Sequence, residues 1–265
     1  MSRQTNKIFS ITSSTCLALA LAVAAEGTSR GPPTRLIGGI SADIGEFPYQ
    51  ASLRLKGGHF CGGSIITTRH VLTAAHCIID FLSTGSDLTG LTVVTGTNSL
   101  ARGGTTHAVG KYSYHKDYAG GPSNMWRNDV AVLTLAKEIE VTTEQSPISL
   151  PDEDVPWGET GVVSGWGLTV YPGNSFPTIL QKSNVTFIQQ SECSRHHPGI
   201  ITSQICAMQK YGVGTCNGDS GGPLVYGDTV VGIVSWGRNC ALGVPDVYTK
   251  VYSHREYIRQ IVDRI

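Results

Sequence analysis

Hydrophobic and polar positions along the chain mark many short strands and one closing helix. Gln50–Leu55 (QASLRL), Leu91–Thr95, Val130–Leu135, Gly161–Ser164, Val230–Ser235 and Val247–Val251 are apolar or alternating runs, most of them near Gly, Pro, Asn or Asp. Runs of that length between turn residues predict strands, and their number predicts an all-β chain. The last segment changes period. Ile258, Ile261, Val262 and Ile265 recur at three- and four-residue steps, which predicts an amphipathic C-terminal helix. Glu144–Pro156, rich in Ser, Pro and acids, reads as a connection between two halves.

The start of the chain follows a different pattern. Arg3 and Lys7 precede the run LALALAVAA at Leu17–Ala25, which is shorter than the about 20 helical residues that span a bilayer. It ends in the small residues Val23, Ala24 and Ala25. Basic, apolar and small residues in that order predict a secretory signal peptide over residues 1–25. The alternative, a buried opening helix, gives no reason for that order. Residues 26–35 (EGTSRGPPTR) form a polar, Pro-containing linker within reach of a protease. No later apolar stretch is long enough to anchor the remainder in a membrane.

Composition sharpens this picture. The 265 residues suffice for one large domain or two small ones. Gly contributes 32 residues and charged residues only 15%, which suits turns and strands rather than helical bundles or disorder. Lys+Arg and Asp+Glu both number 20, so no basic footprint for nucleic acid is present. Removing residues 1–35, with Arg3, Lys7, Arg30, Arg35 and Glu26, leaves 16 basic and 19 acidic residues and a net charge of −3. Of seven cysteines, Cys16 leaves with the signal peptide. Cys61, Cys77, Cys193, Cys206, Cys216 and Cys240 remain, an even set that reads as three disulfides in a secreted chain. Spacing alone leaves 15 possible pairings.

Three local sequences carry candidate chemistry: LTAAHC at Leu72–Cys77, NDVAVLTL at Asn128–Leu135 and GTCNGDSGGPL at Gly214–Leu224. A serine hydroxyl becomes a useful nucleophile when a base takes its proton, and histidine titrates near neutrality. A carboxylate holds the imidazole in one tautomer and stabilises its cation. Glycines beside the nucleophile free backbone N–H groups to bind a developing oxyanion. Ser220 flanked by Gly218, Gly221 and Gly222, His76 beside Cys77, and Asp129 heading an apolar strand supply these parts. Each alone has a plain reading as a tight turn, a structural histidine or a solvated strand opener.

Together, LTAAHC and GDSGGP resemble the signatures of the chymotrypsin family of serine proteases, and the resemblance covers residues 36–265. It implies two packed six-stranded antiparallel β-barrels with a C-terminal α-helix and the site between the barrels. It also implies Ser220 as nucleophile, His76 as general base and then acid, and Asp129 as the orienting carboxylate. The N–H groups of Gly218 and Ser220 would form the oxyanion hole. Ser235, Trp236 and Gly237 match the strand that pairs with substrate backbone. The family pairs the cysteines as Cys61–Cys77, Cys193–Cys206 and Cys216–Cys240. No cofactor is implied. The segment between Asp87 and Asp117 lacks Asp and Glu, which leaves the family's calcium loop without carboxylates. A disulfide at Cys193 would remove the thiolate from any metal site with His196 and His197.

Arg35-Leu36-Ile37-Gly38-Gly39 resembles the family's activation site, with Leu36 where Ile is usual. Cleavage after Arg35 by a trypsin-like protease would free an ammonium at Leu36 to pair with Asp219. The resemblance therefore implies a zymogen, secreted and monomeric, acting on protein or peptide substrates. Serpins or small protein inhibitors would be further partners, without membrane or nucleic acid. The residue that sets primary specificity in the family is Gly214 here, which removes the trypsin-like Asp, and Gly237 leaves the pocket mouth open. Asp246 brings a carboxylate from the opposite wall. The Gly214 and Asp246 combination resembles insect chymotrypsins and crustacean collagenolytic proteases. The expectation is cleavage after Phe, Tyr, Leu or Trp, with trypsin-like or broad specificity through Asp246 as the alternative. Trp126 matches a position lining the second subsite. A catalytically silent binding homologue would lack a triad residue, and none is missing. Asn184-Val185-Thr186 is a glycosylation sequon.

Overall fold

A computed structural model describes residues 37–83, 85, 88–238 and 240–264. The expected signal peptide over 1–25 and the expected propeptide over 26–35, like Leu36, lie outside the described residues. The first half contributes β1 (Ile40–Ser41), β2 (Gln50–Leu55), β3 (Gly58–Thr67), β4 (His70–Thr73), α1 (Ala75–Ser83), β5 (Leu91–Thr95), β6 (Thr105–Tyr114) and β7 (Ala131–Leu135). The second contributes β8 (Thr160–Gly165), β9 (Gln181–Ile188), α2 (Gln190–His196), β10 (Gln204–Met208), β11 (Pro223–Tyr226), β12 (Thr229–Trp236), β13 (Asp246–Lys250) and α3 (Val251–Val262).

Strands β2-β3-β4-β7-β6-β5 close into one antiparallel barrel. In the second half the order β9-β10-β13-β12-β11-β8 is closed by pairing of β8 with β9, and β1 adds to β9 through Ile40 and Ser41. Two six-stranded barrels with a C-terminal helix are thus present, as the sequence led us to expect. Closure pairs every strand edge with a neighbour, so backbone polar groups are satisfied even where side-chain alternation is weak. That accounts for β6, whose sequence TTHAVGKYSY is largely polar and exposed yet pairs with both β5 and β7.

Leu53, Ile65, Leu72 and Leu133 fill the first barrel and are fully buried. Val163, Phe187, Leu224 and Tyr248 fill the second. Each such side chain contributes about 1.5–3 kcal/mol of burial. α3 buries Val251, His254 and Ile258 along one stripe, and Val251 and Ile258 join the first barrel's core. The helix begins at Val251, so the apolar run at Val247–Val251 splits between the end of a strand and the start of a helix. The segment containing Glu144–Pro156 has no strand and links the barrels.

The barrels are joined by hydrogen bonds as well as apolar contact. Gly62 N–H donates to the Ser220 carbonyl at 2.7 Å, and Ser164 Oγ donates to Gln50 Oε1 at 2.7 Å. Gly62 is glycine because the barrels nearly touch there. A Cβ would lie 2.8 Å from Gly222 Cα. Among the described residues no helix is long and apolar enough to cross a membrane. Asn184 of the sequon occupies an exposed position on β9.

Candidate active site

His76 is the second residue of α1, directly after the turn that ends β4. The Cys61–Cys77 disulfide fastens that turn of helix to β3, with a Cα–Cα distance of 6.3 Å. Asp129 precedes β7 in a loop where Met125, Trp126 and Asn128 all have positive φ, of 52°, 45° and 54°. Such backbone costs on the order of 1–3 kcal/mol per residue and persists only where neighbours enforce it. Here Gln204 Nε2 donates to the Met125 carbonyl at 2.6 Å, and Asn128 Nδ2 donates to the Asp117 carbonyl at 3.0 Å.

The Asp129 side chain is wholly buried and receives three donors. His76 N–H donates to Oδ1 at 2.8 Å, His76 Nδ1 lies 2.7 Å from Oδ2, and Ser235 Oγ donates to Oδ2 at 2.6 Å. With the Nδ1 proton held by Asp129, Nε2 is left as a proton acceptor. Burial pulls the His76 imidazole down. The Asp129 charge and hydrogen bond, with Asp80 behind them, outweigh burial and hold it above the ordinary histidine value.

Ser220 stands in a turn pinned from several sides. Besides its carbonyl bond to Gly62, Asp219 N–H donates to the Cys216 carbonyl at 3.0 Å and Gly221 N–H to the Val234 carbonyl at 2.8 Å. Gly218 has φ of 97°, which an L side chain adopts only with strain. The amides of Gly218 and Ser220 donate to no carbonyl among the described residues. Asp219 is completely buried and accepts N–H groups from Gly167 at 2.7 Å and Cys216 at 2.9 Å. Burial pushes its carboxyl up to about 7; the two N–H bonds oppose this and the Asp246 charge adds to it.

A cavity of about 350 Å³ is lined by His76, Ser220, Trp126, Ser235, Trp236, Gly237 and Asp246, all of them singled out in the sequence. Asp129 lies behind His76. Gly214 does not line this cavity: its N–H donates to the Ile37 carbonyl at 3.1 Å, and the Ala241 backbone stands where its side chain would be. The adjoining Thr215 does line it. Asp246 is 9% exposed, and its Oδ2 accepts Thr215 N–H at 2.8 Å. Burial pushes its carboxyl up to about 6, against the Thr215 hydrogen bonds. No cation pairs with it among the described residues. Gly237 sits against it, since a Cβ there would lie 2.8 Å from Asp246 Oδ1. Trp126 stacks on Trp236 with ring centroids 5.5 Å apart, and His197 meets Trp236 edge-on at 4.9 Å.

Some neighbours are invisible to sequence reading. His59 Nε2 donates to the Gly218 carbonyl at 3.0 Å, while Ser52 Oγ donates to Nδ1 at 2.9 Å. Burial pulls this imidazole down to about 4, so it is a neutral strut near physiological pH. Phe176 packs edge-on against His59 at 5.3 Å. Tyr171 lines the cavity. No motif marks these three residues. The disulfides Cys61–Cys77, Cys193–Cys206 and Cys216–Cys240 form the pairing implied by the family resemblance. Cys216 and Cys240 both line the cavity. All six sulfurs are bonded, so neither His76 nor the His196–His197 pair has a neighbouring thiolate to share a metal.

Comparison with known proteins agrees with the architecture. The family model Trypsin matches residues 36–258. "Chymotrypsin-2" of Vespa crabro is 38% identical over 226 residues, covering 85% of this chain and 99% of the relative. "Trypsin delta" of Drosophila erecta is 38% identical over 229 residues, covering 84% and 87%. "Trypsin theta" of Drosophila melanogaster is 38% identical over 255 residues, covering 92% and 94%. The chain belongs to the chymotrypsin family of trypsin-like serine proteases. It is a serine endopeptidase, and proteins are its substrate class.

Proposed function

We propose that the chain is secreted as a zymogen, with residues 1–25 as signal peptide and 26–35 as propeptide, and acts after cleavage at Arg35 as a chymotrypsin-like endopeptidase. The observation that carries the catalytic reading is the buried Asp129 carboxylate 2.7 Å from His76 Nδ1, with His76 and Ser220 on one cavity. The roles follow the family's worked template. Ser220 Oγ attacks the scissile carbonyl carbon as its proton passes to His76 Nε2. The negative carbonyl oxygen is held by the amides of Gly218 and Ser220. His76 returns the proton to the leaving nitrogen, the C–N bond breaks and an acyl-enzyme remains. A water molecule then attacks the ester, again through His76, and releases Ser220. Asp129 stays ionised and stabilises the imidazolium, with Ser235 fixing the carboxylate.

Zymogen activation is supported by Asp219. Its carboxylate is buried without a cation among the described residues, and a buried charge needs a partner. The Leu36 ammonium would supply one. Ile37 already pairs with Gly214, so the chain after Leu36 is seated beside the nucleophile turn. Arg35→Gln should then leave the protein nearly inactive, and full activity in that variant would end the zymogen reading. The activator is a trypsin-like protease, since an enzyme preferring apolar side chains would not cut after Arg35. The mature enzyme is a monomer open to serpins or small protein inhibitors.

The pocket supports cleavage after Phe, Tyr, Leu or Trp: its mouth is open at Gly237, and Gly214 supplies no acid. The stacked Trp126 and Trp236 form an apolar shelf that suits a small residue or Pro at the second subsite. One observation favours a second, broader reading. Asp246 lines the cavity without a cation, where it would also receive Lys or Arg. Relatives named as a chymotrypsin and as trypsins stand at the same 38% identity, which separates nothing. Cleavage-site profiling of the activated enzyme on a peptide library tests the preference. Dominant cuts after Phe, Tyr, Leu and Trp support it, and dominant cuts after Lys and Arg overturn it.

A further inference from the structure

A second polar cavity lies away from the catalytic cleft, where β4, β6, β7 and α3 meet. It has a volume of about 200 Å³ and is lined by Arg69, Lys111 and Arg264 together with His70, Ser113, Thr134 and Ile261. No Asp or Glu lines it, and none of its three cations has an ion-pair partner among the described residues. His70 is 1% exposed, and its Nε2 has no hydrogen-bond partner. Thr67 Oγ1 accepts Arg69 N–H at 3.1 Å and lies 2.8 Å from His70 Nδ1. With the Thr67 hydroxyl donating to Nδ1, the ring proton sits on Nε2 as an unused buried donor. Burial, with the Arg69 charge, pulls this imidazole down, which favours a neutral ring.

Three cations without an ion-pair partner, of which Arg69 also donates Nε to the Leu135 carbonyl at 3.2 Å, the unpartnered His70 Nε2 and the hydroxyls of Ser113 and Thr134 make a donor-rich pocket with no carboxylate. Such a pocket matches a tetrahedral oxyanion, whose oxygens are all acceptors. A shallower groove of about 450 Å³ shares Ser113, Ile261 and Arg264 with it and adds Lys116, again without an acid. We propose that this cavity is an anion-binding exosite for a sulfate or phosphate group, either free or carried on an anionic polymer that continues over Lys116. Unlike the catalytic reading, it needs neither Ser220 nor His76.

The test is titration calorimetry of the full-chain protein with sodium sulfate against sodium chloride at matched ionic strength. It is paired with elution from sulfated-dextran and plain dextran resins. Lys111→Gln and Arg264→Gln should each weaken sulfate binding roughly tenfold, as expected for losing one charged hydrogen bond. After cleavage at Arg35, their peptidase activity should stay at the wild-type level and report correct folding. Sulfate binding lost in both variants, with Lys116→Gln unchanged on either probe, assigns the site to a free anion. Retention on sulfated dextran that falls in all three variants assigns it to a polymer. The proposal is overturned if both variants bind both probes as wild type does, or if wild type binds neither.

Discussion

Replacing Asp246 by Asn separates the two readings of the primary pocket. The change keeps size and shape, and the amide oxygen can still accept Thr215 N–H at the 2.8 Å position. What disappears is a buried charge. With its carboxyl pushed up to about 6, Asp246 is mostly ionised at pH 8. Truncating one partner of a buried charge pair costs about 2–5 kcal/mol. At about 1.4 kcal/mol per tenfold, kcat/KM for Lys or Arg substrates should fall roughly 30- to 4,000-fold. Phe and Tyr substrates bring no charge to the pocket and should change by less than about threefold. The assay is kcat/KM on matched chromogenic peptides ending in Lys, Arg, Phe or Tyr, between pH 5 and 9, with rates taken as basic-to-aromatic ratios. The ratio cancels the titration of His76. A carboxylate attracts cations above its pKa and loses them as pH falls through it, so the wild-type ratio should drop as pH falls through about 6. A ratio that is flat with pH and unmoved by the variant would show that Asp246 has no part in recognition.

Further outcomes follow from the same geometry. Asp129→Asn removes the acceptor that fixes the His76 tautomer and should lower kcat about 10⁴-fold, the magnitude known for this change in the family's template. Steady-state kinetics with unchanged thermal stability would check it. Gly218→Ala forces a Cβ to 2.6 Å from Phe176 on backbone with φ of 97°; the displaced amide should cost about 10²–10³ in kcat, with KM little changed. Replacing Cys61 and Cys77 together by Ala opens a loop with a sequence separation of 16 and should cost about 3 kcal/mol in denaturant unfolding.

Legibility in the sequence varied with how local the cause was. The runs at Gln50–Leu55 and Leu91–Thr95 coincide with β2 and β5, because apolar residues sit between turn formers. β3 was not legible: its Gly62 serves the approach of the two barrels, a contact with Gly222 distant in sequence, and Gly63 lies against Val71 and Leu53 of its own barrel. α1 is only nine residues long and was absorbed into the LTAAHC motif. His76, Asp129 and Ser220 announce themselves through motifs, since their chemistry constrains neighbouring residues. The hydrogen bond from Ser235 to Asp129, the His59 strut and the basic cavity under α3 do not. Each is assembled from segments far apart in the chain, with no local pattern to carry the signal.

The central claim is that Ser220, activated by His76, performs peptide hydrolysis. The most direct measurement is labelling of the Arg35-cleaved protein with a peptidyl phosphonate, followed by peptide mass mapping and a parallel peptidase assay. The account predicts a single adduct on Ser220, formed in step with the loss of activity, and no adduct in His76→Ala. An adduct elsewhere, or peptidase activity that survives complete modification of Ser220, would contradict it.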